Sequence, residues 1–523
     1  MSDDRQPKIS ISKGLVVLNS SSSVLTRIIN LTVIVWVYQH LLNRISVEEF
    51  AVYPVVTAVM VFAPLFFSVL TGGISRHIID AYARGDGQDI GRIISSILPI
   101  IALMAVGFLI LGAGFTMNVE HILNIPAHME DEARIMLGLL IASFAAQMIA
   151  LPFSTGFHIR QRFVELNLLM LAREIFRMAL LLTLILGLEP RVIWVVLATV
   201  IAENVFQIIL IIRSRHLVPE LRFDRRLYDR DRAKSLISFG LWTTLGQLGT
   251  IMYTHAATLI LNIYGTATDV TCYFIGTMLF RHLDGLILTA VIPLQPVITA
   301  MNATGDRKRL AATLLKGGRL GLWVSLAAAT PAIIYAGDFV NLYLGPEYSD
   351  AAVVIILLMM IFPFSQATSL LPTAAVAMAE VRALFLPAFL FQLAGFVLMM
   401  TFAAGFGLGA IGVTLSLTII TIVSQLGYFW RLTFRLTDAR PNDFVRDVLM
   451  RGWTPAIAAG VVWFVLSQIN PAASWLILGV NGVIGGLAYV AVLLIFCLAT
   501  DDRNDARRVV KWAQGFMAGS ARG

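Results

Sequence analysis

The sequence has little charge and almost no cysteine. Charged residues make up 14% of its 523 residues, whereas 58% are hydrophobic and the mean hydropathy is +0.81. A soluble protein of this length needs a far larger charged fraction, so a soluble fold is excluded. The two cysteines, Cys272 and Cys497, lie inside apolar blocks and indicate no disulfide framework. The first 14 residues are polar and have no cleavage site, so we expect the first apolar segment to act as an uncleaved insertion signal.

The motifs of the common enzyme classes are also missing. The sequence has no Walker A motif, no HExxH, no Cys/His cluster at metal-ligand spacing and no nucleophile elbow. GLGAIG at 407–412 fits the dinucleotide fingerprint by letter, but it lies at a tight turn between apolar segments with no strand before it. We therefore expect no enzyme activity, no catalytic residue, no cofactor and no metal site.

What the sequence does have is apolar blocks of roughly 20 residues, the length that spans a bilayer as a helix. Backbone groups in lipid must pair within the chain, so these blocks must be helices, and the short alternating segments of a spanning barrel do not occur. The sequence predicts an all-α polytopic membrane protein with about fourteen transmembrane helices. The predicted spans are 15–39, 50–75, 93–117, 134–157, 167–188, 191–212, 236–263, 269–299, 317–337, 351–378, 384–405, 408–430, 452–469 and 475–499.

The basic residues fall almost entirely on one side of this predicted map. Of the 39 lysines and arginines, 32 lie in connections on one side and 3 on the other, namely Arg44, Arg134 and Arg191. The positive-inside rule then places both termini in the cytoplasm and the acidic loops at 118–133 and 338–350 outside. Arginine-rich cytoplasmic loops also account for the net charge of +7, so we expect no nucleic acid partner.

The longest polar run, residues 213–235, separates two halves that resemble each other. A shift of 220 residues aligns Tyr53 with Tyr273, Glu49 with Asp269, and Leu151-Pro152 with Leu371-Pro372. The offset contains six spans, an even number, which predicts parallel six-helix repeats forming two lobes. The predicted domains are 1–212 and 236–435 as the lobes, 213–235 as a basic cytoplasmic linker, and 436–523 as two additional helices with a basic tail.

Three segments resemble the prokaryotic polysaccharide transporter family of the multidrug/oligosaccharidyl-lipid/polysaccharide exporter superfamily. They are LLNRISVEEFAVYPVV (41–56), RHIIDAYARGDGQDIGRII (76–94) and DFVNLYLGPEYSDAAVVI (338–355). One departure is Phe-Ala at 50–51, where the family usually has Phe-Gly. The resemblance implies a bacterial inner-membrane flippase for polyprenyl-pyrophosphate-linked oligosaccharides. It also implies membrane lipids, a polysaccharide polymerase and chain-length machinery as partners in making O-antigen, exopolysaccharide or capsule.

Four arginines lie inside predicted spans, where a charge is costly and usually faces a bundle interior or an aqueous cavity. They are Arg27, Arg173, Arg177 and Arg281, and Asn30 shares the polar face of Arg27. Guanidinium groups suit a pyrophosphate, so these five residues are the candidate substrate-binding residues. The alternative is that the arginines pair with acids, for example Arg177 with Glu174 at i,i+3. Glu203 and Asp284 are the candidates for coupling to protons or sodium, although either can instead form a structural salt bridge.

Three other functions compete with the flippase hypothesis. A cation-coupled multidrug antiporter of the same superfamily needs acids in its cavity, but the first predicted span has Arg27 and no acid. A lipid II flippase shares the span number and the cavity arginines, yet its characteristic loop signature is missing. A membrane glycosyltransferase or polymerase needs catalytic carboxylates or a large outer loop, and the predicted outer loops are all short.

Overall fold

The computed structural model describes residues 34–61, 63, 78, 86–160, 162–229, 256–291, 298, 301, 307–378, 380–437, 440–498 and 502–503. Every regular element within these residues is a helix, which confirms the predicted all-α class. Nine of the described helical stretches are long and apolar enough to cross a membrane, so the exact number of fourteen stays a prediction. These stretches are Gly87–Met117, Ala127–Phe153, Ile193–Leu217, Arg307–Ile334, Pro346–Val376, Arg382–Gly405, Gly409–Leu436, Pro441–Ile469 and Trp475–Cys497.

The chain divides into two compact units, Met1–Thr271 and Cys272–Gly523. The predicted boundaries of the lobes, the linker and the C-terminal addition stay predictions. The main helices of the first unit are α1 (34–42), α2 (Val47–Met60), α3 (Gly87–Met117), α4 (Glu130–Ala150), α5 (Phe163–Gly187), α6 (Ile193–Leu217) and α7 (256–264). Helix α8 (Ala267–Val291) crosses the boundary between the units.

Helix α4 lies at the centre of the first unit, where it packs against α2, α3 and α6. Its buried face includes Ala133, Met136 and Leu137. Helix α5 packs against α6 and carries three charged residues, Arg173, Glu174 and Arg177, in its middle. This charge has to be compensated within the protein, because lipid offers no hydrogen-bond partner.

The second unit continues with α9 (Arg307–Ile334), α10 (Ser349–Met359), α11 (Val381–Met400), α12 (Gly409–Ser424), α13 (Arg451–Ile469) and α14 (Trp475–Val492). Short helical segments follow α10, at Phe362–Ser365, Gln366–Thr368 and Leu371–Ala377, so its span is broken. Four segments are π-helical, at Thr401–Gly405, Gln425–Phe429, Val445–Met450 and Leu493–Cys497. Such segments insert an extra residue into a helical turn and commonly mark functional positions.

Helices α13 and α14 are tied to α9 by aromatic side chains that bind backbone carbonyls. The Trp323 indole N–H donates to the carbonyl of Arg451 at 2.8 Å, and the Tyr489 hydroxyl donates to that of Trp323 at 2.9 Å. Gly485 is the glycine of α14 that packs closely, since a Cβ at this position would clash with the indole ring of Trp463. Apolar burial drives little association in lipid, so these hydrogen bonds and close contacts hold the added helices in place.

Several local features recur at the offset of 220 residues found in the sequence. Helix α2 begins at Val47 and α8 begins at Ala267. Ser46 Oγ accepts from the Glu49 N–H at 3.2 Å, and Thr266 Oγ1 accepts from the Asp269 N–H at 3.1 Å, so both helices start with the same cap. These matched caps support the repeat that the sequence predicts.

The paired prolines occupy equivalent breaks. Pro152 lies in the short helix Leu151–Thr155 that follows α4, and Pro372 lies in Leu371–Ala377, which follows the break after α10. Each proline is at the first turn of a new segment, where its missing N–H leaves no hydrogen bond unmade. Both therefore mark the start of a new helical segment.

Candidate functional site

The predicted binding residues fall in different parts of the chain. Arg27 and Asn30 lie outside the described residues. Arg173, Arg177 and Glu203 belong to the first unit, and Arg281 and Asp284 belong to the second. Each group is therefore considered within its own unit.

Two arginines share one carboxylate in the middle of α5. Arg173 Nη2 lies 2.9 Å from Glu174 Oε1, and Arg177 Nη2 lies 3.0 Å from Glu174 Oε2. Arg177 also donates through Nε to Glu174 Oε2 at 3.1 Å, which confirms the predicted i,i+3 pair. Arg177 is buried, whereas about a third of the Arg173 side chain stays accessible, at 34%. The three side chains contain two guanidinium groups and one carboxylate, so together they have an excess positive charge. Arg173 is the more accessible of the two arginines.

Glu203 lies in a small polar cluster between α4 and α6. Gln147 Nε2 donates to Glu203 Oε2 at 2.8 Å, and Asn204 Nδ2 donates to Ser143 Oγ at 2.8 Å. Gln147 also approaches Ser143 Oγ at 3.3 Å, which joins the four side chains into one network. No arginine or lysine of the described residues forms an ion pair with Glu203, so the predicted structural salt bridge is not found there.

The second unit contains a comparable amide-lined group at the break after α10. Gln366 Nε2 lies 3.5 Å from Asp284 Oδ1 of α8, and Gln366 is buried. Thr368 Oγ1 donates to Gln425 Oε1 at 2.9 Å, where Gln425 begins a π-helical segment. Asp284 has no ion pair within the described part of this unit. Its described hydrogen-bond partner is therefore an uncharged amide, as it is for Glu203.

Arg281 is three residues before Asp284 on α8, but its side chain is exposed. The sequence predicted that this arginine faces a bundle interior or an aqueous cavity, and an exposed side chain is compatible with a cavity. The i,i+3 spacing places the two residues on neighbouring parts of the helix surface, yet the acid is half-buried and the arginine is accessible. Whether Arg281 binds substrate stays a prediction.

Three loops of the first unit meet at the end that the sequence assigns to the outside. A cavity of about 410 Å³ is lined by residues of each loop, including Arg44, His128 and Arg191. Arg191 Nη2 lies 2.6 Å from the buried Glu132 Oε2, whose other oxygen accepts from the Ile193 N–H at 3.2 Å. Arg44 and Arg191, two of the three basic residues predicted outside, thus lie at one end of the unit.

A reciprocal hydrogen bond closes a second cavity at this end. The Asn124 N–H donates to Asn262 Oδ1 at 2.9 Å, and Asn262 Nδ2 donates to the Asn124 carbonyl at 2.8 Å. Both residues line a cavity of about 200 Å³ together with Val52 and Thr266. Both residues belong to the first compact unit, whereas the predicted repeat assigns Asn124 to its first copy and Asn262 to its second.

Nearby, Arg134 Nη2 lies 2.8 Å from Glu120 Oε1. The pKa of the Glu120 carboxyl lies below its ordinary value of 4.5, first because its own backbone N–H binds it and then because Arg134 does.

Sequence reasoning missed most of the partners in these clusters. Gln147, Gln366, Gln425 and Asn262 are single amides inside apolar blocks, and that interruption was the available signal. Their partners lie 56 to 138 residues away in the chain, so no local spacing identifies them. Within the described residues, no group of three or more His, Cys, Asp or Glu side chains is arranged to hold a metal ion.

Comparisons with known proteins extend this description. Residues 16–302 match the family described as Polysaccharide biosynthesis protein. The "Uncharacterized membrane protein EpsK" of Bacillus subtilis (strain 168) is 21% identical over 500 residues, 93% of this chain and 96% of the relative. The structure of lipid II flippase MurJ in an inward closed conformation has a TM-score of 0.69 at 15% identity, covering 91% of this chain and 98% of that chain.

An inward-facing multidrug resistance MATE family transporter of the MOP superfamily has a TM-score of 0.64 at 13% identity, covering 78% of this chain and 95% of that chain. At these identities the two structures establish the fold of this multi-pass membrane protein, and nothing finer.

Proposed function

The chain belongs to the polysaccharide biosynthesis protein family, and on that premise we propose that it is a flippase for a polyprenyl-pyrophosphate-linked oligosaccharide. The protein acts in the bacterial inner membrane and supplies lipid-linked units for O-antigen, exopolysaccharide or capsule. The observation that carries this proposal is the excess positive charge on α5, where Arg173 and Arg177 share Glu174. A pyrophosphate is a multivalent anion, and guanidinium groups bind it through paired, charge-assisted hydrogen bonds.

In this mechanism Arg173 is the contact residue and Arg177 is a positioning residue. Arg177 and Arg173 hold the Glu174 carboxylate from both of its oxygens, which fixes the Arg173 side chain beside the path of the substrate. The sugar head group crosses through the protein while the polyprenyl chain stays in the bilayer. Parallel repeats of this type expose a central site to each side alternately by rocking. Arg27, Asn30 and Arg281 complete the proposed set of binding residues.

Glu203 and Asp284 are the proposed coupling groups. A carboxylate at membrane depth with amide neighbours and no cation is costly to keep charged, so it readily takes up a proton or a small cation. Gln147 and Gln366 orient these two carboxyl groups without neutralising them.

The decisive experiment measures flipping of a fluorescent polyprenyl-pyrophosphate oligosaccharide by protein reconstituted in proteoliposomes. Loss of one charged contact costs roughly 1.5–3 kcal/mol of binding, so Arg173→Gln should lower the apparent affinity by about one to two decades. The apparent affinity of Arg173→Lys should lie between those of Arg173→Gln and the wild type, because lysine keeps the charge and loses the planar guanidinium. Arg162→Gln is the matched control, since Arg162 is an exposed arginine at the start of the same helix and lies 3.9 Å from Glu165.

Protein yield and thermal stability are measured on the same samples. A purely structural role predicts that Arg173→Gln lowers stability and that Glu174→Gln restores both stability and flipping. Unchanged flipping in a stable Arg173→Gln, Arg177→Gln double variant contradicts the proposal. The proposed orientation has its own test, because reporters fused after residues 225 and 515 should lie in the cytoplasm and those after 125 and 345 outside.

A further inference from the structure

Residues 218–229 are the described part of the central linker that follows the end of α6, and they contact the start of α3; we call this segment the linker strap. The Asp224 N–H donates to Ser95 Oγ at 2.9 Å, and the Asp229 N–H donates to Ser96 Oγ at 2.8 Å. Both serines are fully buried, as are Val218 and Leu221 of the strap. The strap is therefore held by backbone hydrogen bonds and by apolar burial together.

Two glycines of α3 allow the strap to approach this closely. A Cβ on Gly87 lies 3.1 Å from Glu220 Cγ, and a Cβ on Gly91 lies 3.0 Å from Leu227 Cδ1. Both distances are shorter than ordinary contacts, so a larger residue at either position pushes the strap away. The two glycines of α3 thus provide the space in which the strap packs.

The length of α3 indicates the level of the strap relative to the bilayer. The helix has 31 residues and is about 46 Å long, longer than the hydrocarbon core of roughly 30 Å. Side chains toward its far end face outward, including Leu103 at 74% and Met117 at 72% exposed, whereas Ile90, Ile93 and Ile97 are buried. About 20 residues counted back from Met117 reach Leu98, so Ser95 and Ser96 lie at the membrane–water interface.

At this level the strap presents cations and aromatic rings together. Arg222, Arg225 and Arg226 are exposed, and none of them forms an ion pair with another described residue. Phe223 is 45% exposed and Tyr228 is 50% exposed. The strap also carries Glu220, Asp224 and Asp229, of which Asp224 accepts from the Arg226 N–H through Oδ1 at 3.0 Å; the three arginines differ from these acids in lying on the exposed surface. Exposed aromatic rings at this depth suit the headgroup region, where one part of the ring meets apolar chains and another meets water.

We propose that the linker strap is a docking surface for the anionic phospholipids of the inner leaflet, with Arg222, Arg225 and Arg226 binding headgroup phosphates and Phe223 and Tyr228 entering the interface. The strap's backbone is hydrogen-bonded to Ser95 and Ser96, so binding of anionic lipid to the strap also acts on α3. This inference rests on the orientation proposed above, but it does not depend on the identity of the transported substrate.

Spin labels measure this docking directly. The two native cysteines are both buried, so a Cys272→Ser, Cys497→Ser background accepts single labels at Phe223→Cys, Tyr228→Cys or the exposed control position Asn442→Cys. Each labelled protein is placed in nanodiscs of phosphatidylcholine alone or with added phosphatidylglycerol. The collision rates of the label with oxygen and with a water-soluble nickel complex then report whether it lies among lipid or in water.

We expect phosphatidylglycerol to move the labels at 223 and 228 toward the lipid-like ratio and to leave the label at 442 unchanged. Each arginine near an anionic surface strengthens association by about fivefold, so an Arg222→Gln, Arg225→Gln, Arg226→Gln variant should lose the response to phosphatidylglycerol almost completely. The matched control is Arg431→Gln, Arg440→Gln, Arg446→Gln, which removes the same charge from other exposed arginines.

Two results overturn the proposal. In one, the labels at 223 and 228 have the same water-like ratio in both lipid mixtures. In the other, they respond only when polyprenyl pyrophosphate is added to phosphatidylcholine discs, which assigns the arginines to the substrate instead of the bilayer. The readout needs no transport, so it is independent of the flipping assay that tests the proposed function.

Discussion

The two compact units differ in how they hold polar groups in a membrane and in how regular their described helices are. In the first unit, side chains pair with side chains inside regular helices, as Arg173 and Arg177 do with Glu174 and as Gln147 does with Glu203. The second unit also has side-chain pairs, such as Gln366 with Asp284 and Arg319 with Asp502, but its described helices contain more irregular segments. A broken span follows α10, four segments are π-helical, and Trp and Tyr side chains bind backbone carbonyls across helices.

We infer from this difference that the two units have different roles in transport. Charge on regular helices is held in fixed positions and suits recognition of an anionic group. Broken and π-helical segments offer positions where a helix can bend while its freed carbonyls find side-chain donors. No π-helical segment occurs in the described helices of the first unit. The following predictions separate these two strategies, beginning with the largest expected effect.

A buried ion pair within the described part of the second unit joins α9 to Asp502, which follows α14. Arg319 Nη2 lies 2.9 and 2.7 Å from the two oxygens of Asp502, and each residue is 6% exposed. Removing one partner of a buried pair leaves an uncompensated charge, so Asp502→Asn should cost roughly 3–5 kcal/mol of stability. Thermal unfolding in detergent measures this loss.

Asp447→Asn is the control, because Asp447 pairs with Arg451 at 3.3 Å and both side chains are about a third accessible. It should have little effect. An Arg319→Met, Asp502→Leu double variant should regain much of the stability that Asp502→Asn loses. Equal melting temperatures for Asp502→Asn and the wild type contradict the assignment of a buried pair.

Coupling to an ion gradient tests which unit senses the driving force. Glu203→Gln and Asp284→Asn each keep the hydrogen-bonding shape of the group and remove its ability to gain or lose a proton. We expect at least one of them to abolish the acceleration of flipping by a proton or sodium gradient while leaving exchange without a gradient intact. If both variants respond to the gradients as the wild type does, neither carboxyl is the coupling group.

The reciprocal bond between Asn124 and Asn262 predicts a smaller effect. Asn262→Ala leaves the N–H and the carbonyl of Asn124 without their partner, at a cost of roughly 1–3 kcal/mol. The outer end of the first unit should then open more often. Reaction of a Val52→Cys thiol with an impermeant maleimide should accelerate by about tenfold, since Val52 lines the cavity behind this bond.

Asn118→Ala serves as the control for this measurement. Asn118 donates to the Gly114 carbonyl at 2.8 Å within the same outer region and does not line the cavity. A Val52→Cys reaction rate that is the same with and without Asn262→Ala excludes a closing role for this bond.

The smallest expected effect concerns pH at the outer end. Because the pKa of Glu120 is lowered on folding, its contribution to stability is present above about pH 4.5 and is lost as pH falls through the folded-state value. Glu120→Gln should therefore melt slightly below the wild type at neutral pH, and the gap should close on acidification. Asp131→Asn is the control, because its fully accessible side chain contacts the same Arg134. A gap that widens as pH falls contradicts the assigned direction.

The sequence predicted some of the candidate site and missed other parts. The i,i+3 pair of Glu174 and Arg177 was predictable because helical spacing alone brings the two side chains together. Gln147 next to Glu203, and Gln366 next to Asp284, were not predictable because each pair joins separate helices. Arg281 is exposed, and position within an apolar block does not decide which surface of the helix it occupies, so its role as a cavity residue stays a prediction.

By itself the sequence determined the helical class and the location in a membrane, and it predicted the repeat. Helical spans were predictable because hydropathy is a property of a local stretch of sequence. The matched caps of α2 and α8 are also local, since each needs only a serine or threonine three residues before an acid. Only the tertiary structure decided that Arg319 meets Asp502, that Asn262 meets Asn124, and that the linker strap lies on Ser95 and Ser96. These contacts join residues 129 to 183 positions apart, and their physical basis is the packing of whole helices, which no local pattern of residues encodes.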